Sequence, residues 1–251
     1  MSTVRGARER ARIEVTAAIK EEARRQLAAE GAAKLSLRAV ARELGMVSSA
    51  LYRYFPSRDD LLTALIVDAY DAVGAAAETA LAQQPAHASH PARWSAVCLA
   101  ARTWALAHPH EYALIFGSPV PGYTAPLTTV GPASRVGQAL ISVLRDAHRT
   151  NGLAVPRLTA ELRPEAERLA TDVAPDLPPS VVAALVAAWA QLFGLISFEV
   201  FGQFNRVVED RDTLFAHSAA TLAHTVGLIT GQPPGPGGGA PGIDRRGPES
   251  G

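Results

Sequence analysis

The chain has 251 residues, of which 19% are charged and 48% hydrophobic, a composition typical of a globular protein with a buried core. The single cysteine, Cys98, excludes an intrachain disulfide framework and a multi-cysteine zinc site, and it favours a reducing, cytoplasmic compartment. The net charge is zero, but residues 1–58 carry twelve Lys and Arg against six Asp and Glu, a charge of +6 that the remainder balances. This asymmetry indicates that the N-terminal part meets a polyanion.

No targeting or membrane segment is predicted. Four arginines lie between residues 5 and 12, but no apolar h-region follows them, so they do not form a secretory signal. Residues 181–198 are uncharged and reach the lower limit of a spanning helix. Gln191 and Ser197 interrupt this run and no basic residue flanks it. We therefore expect a central helix of a soluble bundle.

Helical periodicity recurs throughout and strand signals are nearly absent, so the predicted fold class is all-α. The predicted helices cover residues 10–30, 36–44, 47–54, 57–83, 92–107, 109–117, 134–151, 179–204 and 209–230. A weaker helical segment is predicted at residues 161–172 and a loop at 128–132. After residue 231 the chain is rich in Pro and Gly, which indicates a disordered tail.

Two short amphipathic helices joined by a glycine turn lie within the basic segment. Ser36 is a good N-cap for the first, and Gly45 ends it. The first helix is expected to bury Leu37, Val40, Ala41 and Leu44. The second then presents Ser48, Ser49, Tyr52 and Arg53. This layout is typical of a helix-turn-helix, whose second helix enters the major groove of DNA.

Residues 36–62 resemble the DNA-binding domain of the TetR family, whose pattern is roughly T-x-x-x-I-A-x-x-A-G-V-S-x-G-x-L-Y-x-H-F-x-x-K-x-x-L. Ser36 takes the position of the first Thr, and Arg58 that of the Lys. The segment Leu-Tyr-Arg-Tyr-Phe at residues 51–55 matches L-Y-x-H-F with Tyr in place of His. Val47 stands where a serine usually begins the recognition helix and Ser49 replaces a glycine. A start at either Val47 or Ser48 is therefore left open.

The resemblance implies a transcriptional regulator that binds a double-stranded, pseudo-palindromic DNA operator as a dimer. The predicted DNA-binding residues are Ser36, Arg38, Val47, Ser48, Ser49, Tyr52, Arg53, Tyr54 and Arg58. Among them, the predicted phosphate contacts are Tyr52, Tyr54 and Arg58. The predicted base-reading residues are Ser48, Ser49 and Arg53.

The C-terminal half resembles the TetR subgroup that carries a Trp-His-Gly motif. Here Trp189 and Gly194 are present, but Phe193 stands in the position of the histidine, which leaves it a packing role. The family pairs its last two long helices with those of a twin, so the apolar stripes of residues 179–204 and 209–230 are interpreted as a homodimer interface. The stripe of the last helix comprises Phe215, Ala219, Leu222, Val226 and Ile229.

These patterns divide the chain into three predicted parts. Residues 1–57 are predicted as a helix-turn-helix domain with a basic N-terminal arm, residues 58–230 as a helical ligand-binding and dimerisation domain, and residues 231–251 as the tail. The candidate lining of an effector cavity is Trp104, Phe116, Tyr123 and Trp189, with core packing as the alternative for each. Because the C-terminal part contains no strong charge cluster, we expect a small apolar or aromatic effector, and the family's usual behaviour implies repression with release by that effector.

Other classes of function find little support in the sequence. The histidines lack carboxylate or thiolate neighbours at ligand spacing, so no metal and no cofactor are predicted. Cys98 falls in an apolar helix and is expected to be a buried small hydrophobe. The chain lacks a nucleophile elbow and a glycine-rich phosphate loop, which argues against an enzyme. The main alternative is a ligand-binding dimer whose helix-turn-helix no longer recognises a specific operator.

Overall fold

The computed structural model describes residues 2–229. Within that range the ten α-helices are α1 (Ser2–Glu30), α2 (Leu37–Glu43), α3 (Ser48–Leu51), α4 (Arg58–Ala82), α5 (His90–Ala107), α6 (Pro109–Phe116), α7 (Val130–Arg149), α8 (Arg163–Val173), α9 (Pro179–Val200) and α10 (Arg211–Thr225). Short 3-10 helices occur at Ala32–Lys34 and Leu127–Thr129. The β-type pairing described is an isolated bridge between Leu153 and Leu228. The all-α prediction is confirmed.

The N-terminal helices form a helix-turn-helix around their own core. Ser36 is extended and accepts a hydrogen bond from the Ala39 N–H (3.4 Å), which caps α2 as predicted. Gly45 has φ 64°, the left-handed conformation that the turn between α2 and α3 requires. The buried residues of this core are Ile19, Ala23, Leu27, Leu35, Leu37, Val40, Ala41, Leu51, Phe55, Leu61, Leu62 and Leu65.

The recognition helix α3 is shorter than predicted. Val47 is its N-cap and Ser48 its first residue, which settles the start that the sequence left open. The helix ends at Leu51, and residues 52–54 continue as turns. Pro56 has no N–H to donate and disfavours a helical conformation in Phe55, so the helical pattern cannot run on to the next helix.

Helix α4 belongs to both halves of the molecule. Ser57 caps it by accepting from the Asp60 N–H (3.1 Å), and its hydroxyl also donates to the Asp60 carboxylate (2.7 Å). Its first turns contribute Leu61, Leu62 and Leu65 to the N-terminal core. Its later turns contribute Ala69, Val73 and Ala77 to the larger C-terminal core.

A close contact locks α4 against α7. Arg135 of α7 lies across Gly74, where a Cβ atom would be 2.6 Å from the Arg135 Cβ. The guanidinium reaches both sides of that glycine and donates to Asp71 (2.8 Å) and Glu78 (2.6 Å). The absence of a side chain at Gly74 therefore lets an ion-paired arginine fix the position of α4 in the C-terminal domain.

Some predicted boundaries were wrong. The predicted loop at residues 128–132 contains the start of α7, because Pro132 falls in a first helical turn, where no backbone N–H is needed. Helix α10 ends at Thr225, five residues before the predicted end, and the segment that follows it forms the bridge to Leu153. The predicted tail at residues 231–251 lies outside the described residues.

Helix α9 is apolar and long enough to cross a membrane by length and composition. It packs here against α5, α6, α8 and α10.

Candidate nucleic-acid interface

The turn and the recognition helix present an exposed polar face beside a buried one. Leu51 and Phe55 point into the N-terminal core, while Ser49, Tyr52 and Arg53 are exposed. Val47 is also exposed, at 70% of its surface. Ser48 and Tyr54 are half-buried, as is Ser36, while Arg38 on α2 is exposed. These side chains can approach a duplex without unfolding the domain.

Arg58, a predicted phosphate contact, forms hydrogen bonds within its own protomer. Its guanidinium donates to the backbone carbonyls of Leu35 (3.2 Å) and Ala32 (2.8 Å), and it lies 3.6 Å from the Asp59 carboxylate. These carbonyls lie in and directly after the short 3-10 segment that follows α1, where the Ala32 carbonyl also accepts from the Leu35 N–H (3.3 Å). Arg58 thus ties the start of α4 to the turn between α1 and α2, while the phosphate contact expected of it stays a prediction.

An ion-pair network joins the helix-turn-helix to the C-terminal domain. Arg24 of α1 donates to Asp68 of α4 (2.8 Å) and lies 3.3 Å from Glu111 of α6. Lys20 shares the Asp68 carboxylate at 2.8 Å. Tyr123 lies in the segment after α6, and its hydroxyl is 2.9 Å from the Thr63 hydroxyl on α4. Helices α4 and α6 therefore both connect the helix-turn-helix to the C-terminal domain.

The four candidate effector residues lie in three places. Trp104 is buried and stacks on His108 (ring centroids 5.2 Å apart) beside α1. Phe116 and Trp189 both contact Phe193, at 4.2 and 4.5 Å between ring centroids. Tyr123 faces a groove between α4, α6 and the start of α7. The predicted packing role of Phe193 is confirmed, and Trp104 is separated from the other candidates.

The groove at Tyr123 has a volume of about 540 Å³. Its walls are mainly apolar, with Tyr70, Leu114, Val120 and Thr129 among its lining residues. Burial raises the pKa of Tyr70, whose hydroxyl donates to the Ile115 carbonyl (3.3 Å). Such a site suits a small, largely apolar molecule with a few polar groups.

A buried ion pair in the C-terminal core was missed from the sequence. Arg102 of α5 donates through two nitrogens to Glu199 of α9, both at 2.7 Å, and both residues are buried. Its guanidinium also contacts Asp212 of α10 (2.7 Å) and lies over the Phe215 ring. The hydrogen bonds to Glu199 raise the pKa of Arg102 despite its desolvation. The expectation that this part has no strong charge cluster was therefore wrong, and a lone acid at the end of an apolar helix was the available signal.

The predicted interface stripe of the last helix is also corrected. Phe215, Ala219, Leu222 and Val226 are buried against the rest of their own protomer, where Val226 has no exposed surface, whereas Ile229, beyond the end of α10, is exposed. Cys98 is likewise fully buried, as predicted, and burial raises the pKa of its thiol to about 12. The periodicity thus identified a buried face, but that face packs within the chain.

Two family models match the sequence. Residues 19–65 match "Bacterial regulatory proteins, tetR family" and residues 94–222 match "Tetracyclin repressor-like, C-terminal domain". The HTH-type transcriptional regulators Mb1846 of Mycobacterium bovis and Rv1816 of Mycobacterium tuberculosis are each 42% identical over 214 residues, which is 80% of this chain and 86% of theirs. The crystal structure of SCO4313, described as a regulatory protein, superposes with a TM-score of 0.72 at 34% identity, over 86% of this chain and 98% of that one. The chain belongs to the TetR family of DNA-binding transcriptional regulators.

Proposed function

We propose that the protein is a cytoplasmic, one-component repressor that binds a pseudo-palindromic operator as a homodimer and is released by a small apolar or aromatic effector. The observation that carries this proposal is the exposed polar face of α3 on a well-packed helix-turn-helix. In a dimer, two such helices enter successive major grooves about 34–36 Å apart. The proposed DNA-binding unit is residues 1–57 with the first turns of α4, followed by the sensor and dimerisation domain.

Within this unit we assign different tasks to the exposed side chains. Ser48, Ser49 and Arg53 read base edges, since short hydroxyls allow close approach and Arg can donate two hydrogen bonds to guanine. Tyr52 and Tyr54 donate to phosphates. The remaining candidates, Ser36, Arg38 and Val47, are assigned to the edge of the same surface, which faces the major groove. Arg58 holds the domain together rather than contacting phosphate.

The dimer interface is assigned to the faces of α9 and α10 that the protomer leaves uncovered. On α9, Val186, Ala190, Gly194 and Phe198 recur four residues apart, with Val186 and Phe198 exposed at 43% and 53%. No other part of the described protomer comes within 4 Å of the position that a Cβ of Gly194 would occupy. A small residue at the centre of an exposed apolar stripe allows a second helix to approach closely. The Trp189–Phe193–Gly194 segment, which corresponds to the subgroup motif, then supports this helix by packing.

The effector site is assigned to the groove at Tyr123 and Tyr70. Its walls include α4 and α6, and α6 carries Glu111, the partner of Arg24 in the DNA-binding unit. Leu114, Val120 and Tyr123 also pack against the N-terminal core. A ligand that displaces α6 or the segment after it would therefore change the orientation of the helix-turn-helix. Phe116 packs edge-on against Tyr70 of this groove, with ring centroids 6.0 Å apart, and Trp189 is linked to Phe116 through Phe193. Trp104 takes a core role.

Equilibrium binding tests the coupling between the two sites. The effector is first identified by screening small aromatic compounds for a rise in the melting temperature of the full chain, which any ligand that prefers the folded state produces. Its affinity is then measured with and without saturating operator DNA. Coupling of about 1–3 kcal/mol, a change of roughly 5- to 150-fold, is expected in both directions, because linkage is reciprocal. Equal affinities would separate ligand binding from DNA binding and overturn the regulatory proposal.

A further inference from the structure

Residues 6–14 of α1 extend beyond the core of the DNA-binding domain. Residues 6–14 are all exposed, although they are helical, and the next residue, Val15, is partly buried. A helical segment with no buried side chain gains little stability from tertiary packing. Of the charged side chains in residues 6–14, Arg12 contacts the rest of the domain, at Tyr54.

The charges of this projection are arranged by face. At 100° per residue, Arg8 and Arg12 continue the stripe of Val15 and Ile19 that faces the helix-turn-helix core. Arg10 lies on the opposite face of the helix. Glu14 lies away from the Arg8–Arg12 face, whereas Glu9 flanks it, three residues before Arg12. With two arginines and one flanking acid, that face is net cationic.

A direct contact connects this face to the recognition element. The Arg12 guanidinium lies over the Tyr54 ring, 5.8 Å from its centroid, a cation–π distance. Tyr54 follows α3 by three residues and packs against the N-terminal core. Arg8 is four residues further out, about 6 Å along the axis. The cationic face thus begins beside the recognition helix and leads away from the domain.

We propose that Arg8 and Arg12 form a second DNA contact, a helical arm that binds the phosphates flanking each operator half-site. This inference rests on the proposed function, since it presumes that α3 occupies the adjacent major groove. Duplex DNA fits the arm because its phosphates continue past the base pairs that α3 reads, at a spacing that arginines one helical turn apart can follow. The arm adds affinity without adding base specificity.

The test compares Arg8→Ala with Arg10→Ala, which remove the same charge from opposite faces of the same helix. Alanine favours the helix, so circular dichroism and melting temperature should stay unchanged in both variants. The probe is a 40-base-pair duplex that contains the site selected by the wild-type chain from a random library, titrated by fluorescence anisotropy between 50 and 200 mM salt. Arg8→Ala should flatten the salt dependence by roughly one unit of slope for each phosphate that is no longer neutralised. Arg10→Ala should retain the wild-type slope.

The possible outcomes distinguish a failure of the proposed arm from a failure of the proposed function on which it rests. If the two variants changed the salt dependence equally, or if Arg8→Ala left it unchanged, the proposed arm would be overturned. DNA recognition by α3 would still be supported in that case if Arg53→Ala lost binding to the selected site. A duplex trimmed at the flanks should bind the wild type and Arg8→Ala equally well. A wild-type chain that bound no duplex in a salt-dependent way would overturn both the function and the arm.

Discussion

Arg24 and Glu111 connect the DNA-binding domain to α6 across a distance of 3.3 Å. The same arginine pairs with Asp68 on α4, so a single side chain meets both helices that lead into the sensor domain. The orientation of the helix-turn-helix therefore depends on contacts with both helices rather than on α4 alone.

Glu111→Gln should weaken operator binding by roughly 2- to 10-fold, because a less restrained domain loses more orientational freedom when it binds DNA. The melting temperature should change little, since ion pairs with partly exposed partners contribute about 0–1 kcal/mol. Glu21→Gln is the matched control: Glu21 contacts Arg24 at 3.4 Å but lies on α1 itself. Equal operator affinity of the two variants, measured by anisotropy, would exclude Glu111 from positioning the domain.

The buried pair of Arg102 and Glu199 should be the most sensitive electrostatic contact in the C-terminal core. Arg102→Met leaves the Glu199 carboxylate buried without its partner and should reduce the free energy of unfolding by about 3–5 kcal/mol. The double variant Arg102→Met, Glu199→Leu should recover much of that stability, because neither charge then remains. Denaturant unfolding measures both, and a single variant as stable as the wild type would show that the pair is solvated in solution.

Arg58→Ala should act on stability rather than on phosphate contacts. Removing a guanidinium that donates to the carbonyls of Ala32 and Leu35 should cost about 1.5–3 kcal/mol, as for other hydrogen bonds to charged groups. The salt dependence of DNA binding, measured well below the melting temperature, should stay that of the wild type. A flatter salt dependence with unchanged stability would instead restore Arg58 as a phosphate contact.

A substitution at the end of α10 and one on α9 should have different consequences. Val226→Asp places a charge in the core of the protomer and should unfold it or make it aggregate. Phe198→Asp places the charge on the exposed stripe of α9 and should yield a folded monomer. Light scattering coupled to size exclusion measures the mass, and circular dichroism the fold. A folded dimer of Phe198→Asp would move the interface away from this stripe.

Local signals in the sequence predicted most helix boundaries, because the atoms that determine them are close along the chain. Ser36 and Ser57 cap helices by bonding to backbone three residues on, and Gly45 meets a local need for positive φ. Partners far apart in sequence were not predictable. Arg58 bonds to carbonyls 23 and 26 residues away, and Arg102 pairs with an acid 97 residues away. Periodicity likewise marked Leu222 as buried, but it could not tell whether the same chain or a twin covers it.

The most direct test of the central claim measures how well α3 distinguishes DNA sequences. The affinity of the full chain is determined at about 150 mM salt for the selected 40-base-pair duplex and for a scrambled duplex of the same composition. We predict a preference of roughly 10³-fold or more for the selected site, and a reduction of that preference by about 1–3 kcal/mol in Arg53→Ala. Weak binding that is equal for both duplexes, and equally weak in Arg53→Ala, would contradict DNA recognition by α3 and favour a ligand-binding dimer that reads no operator.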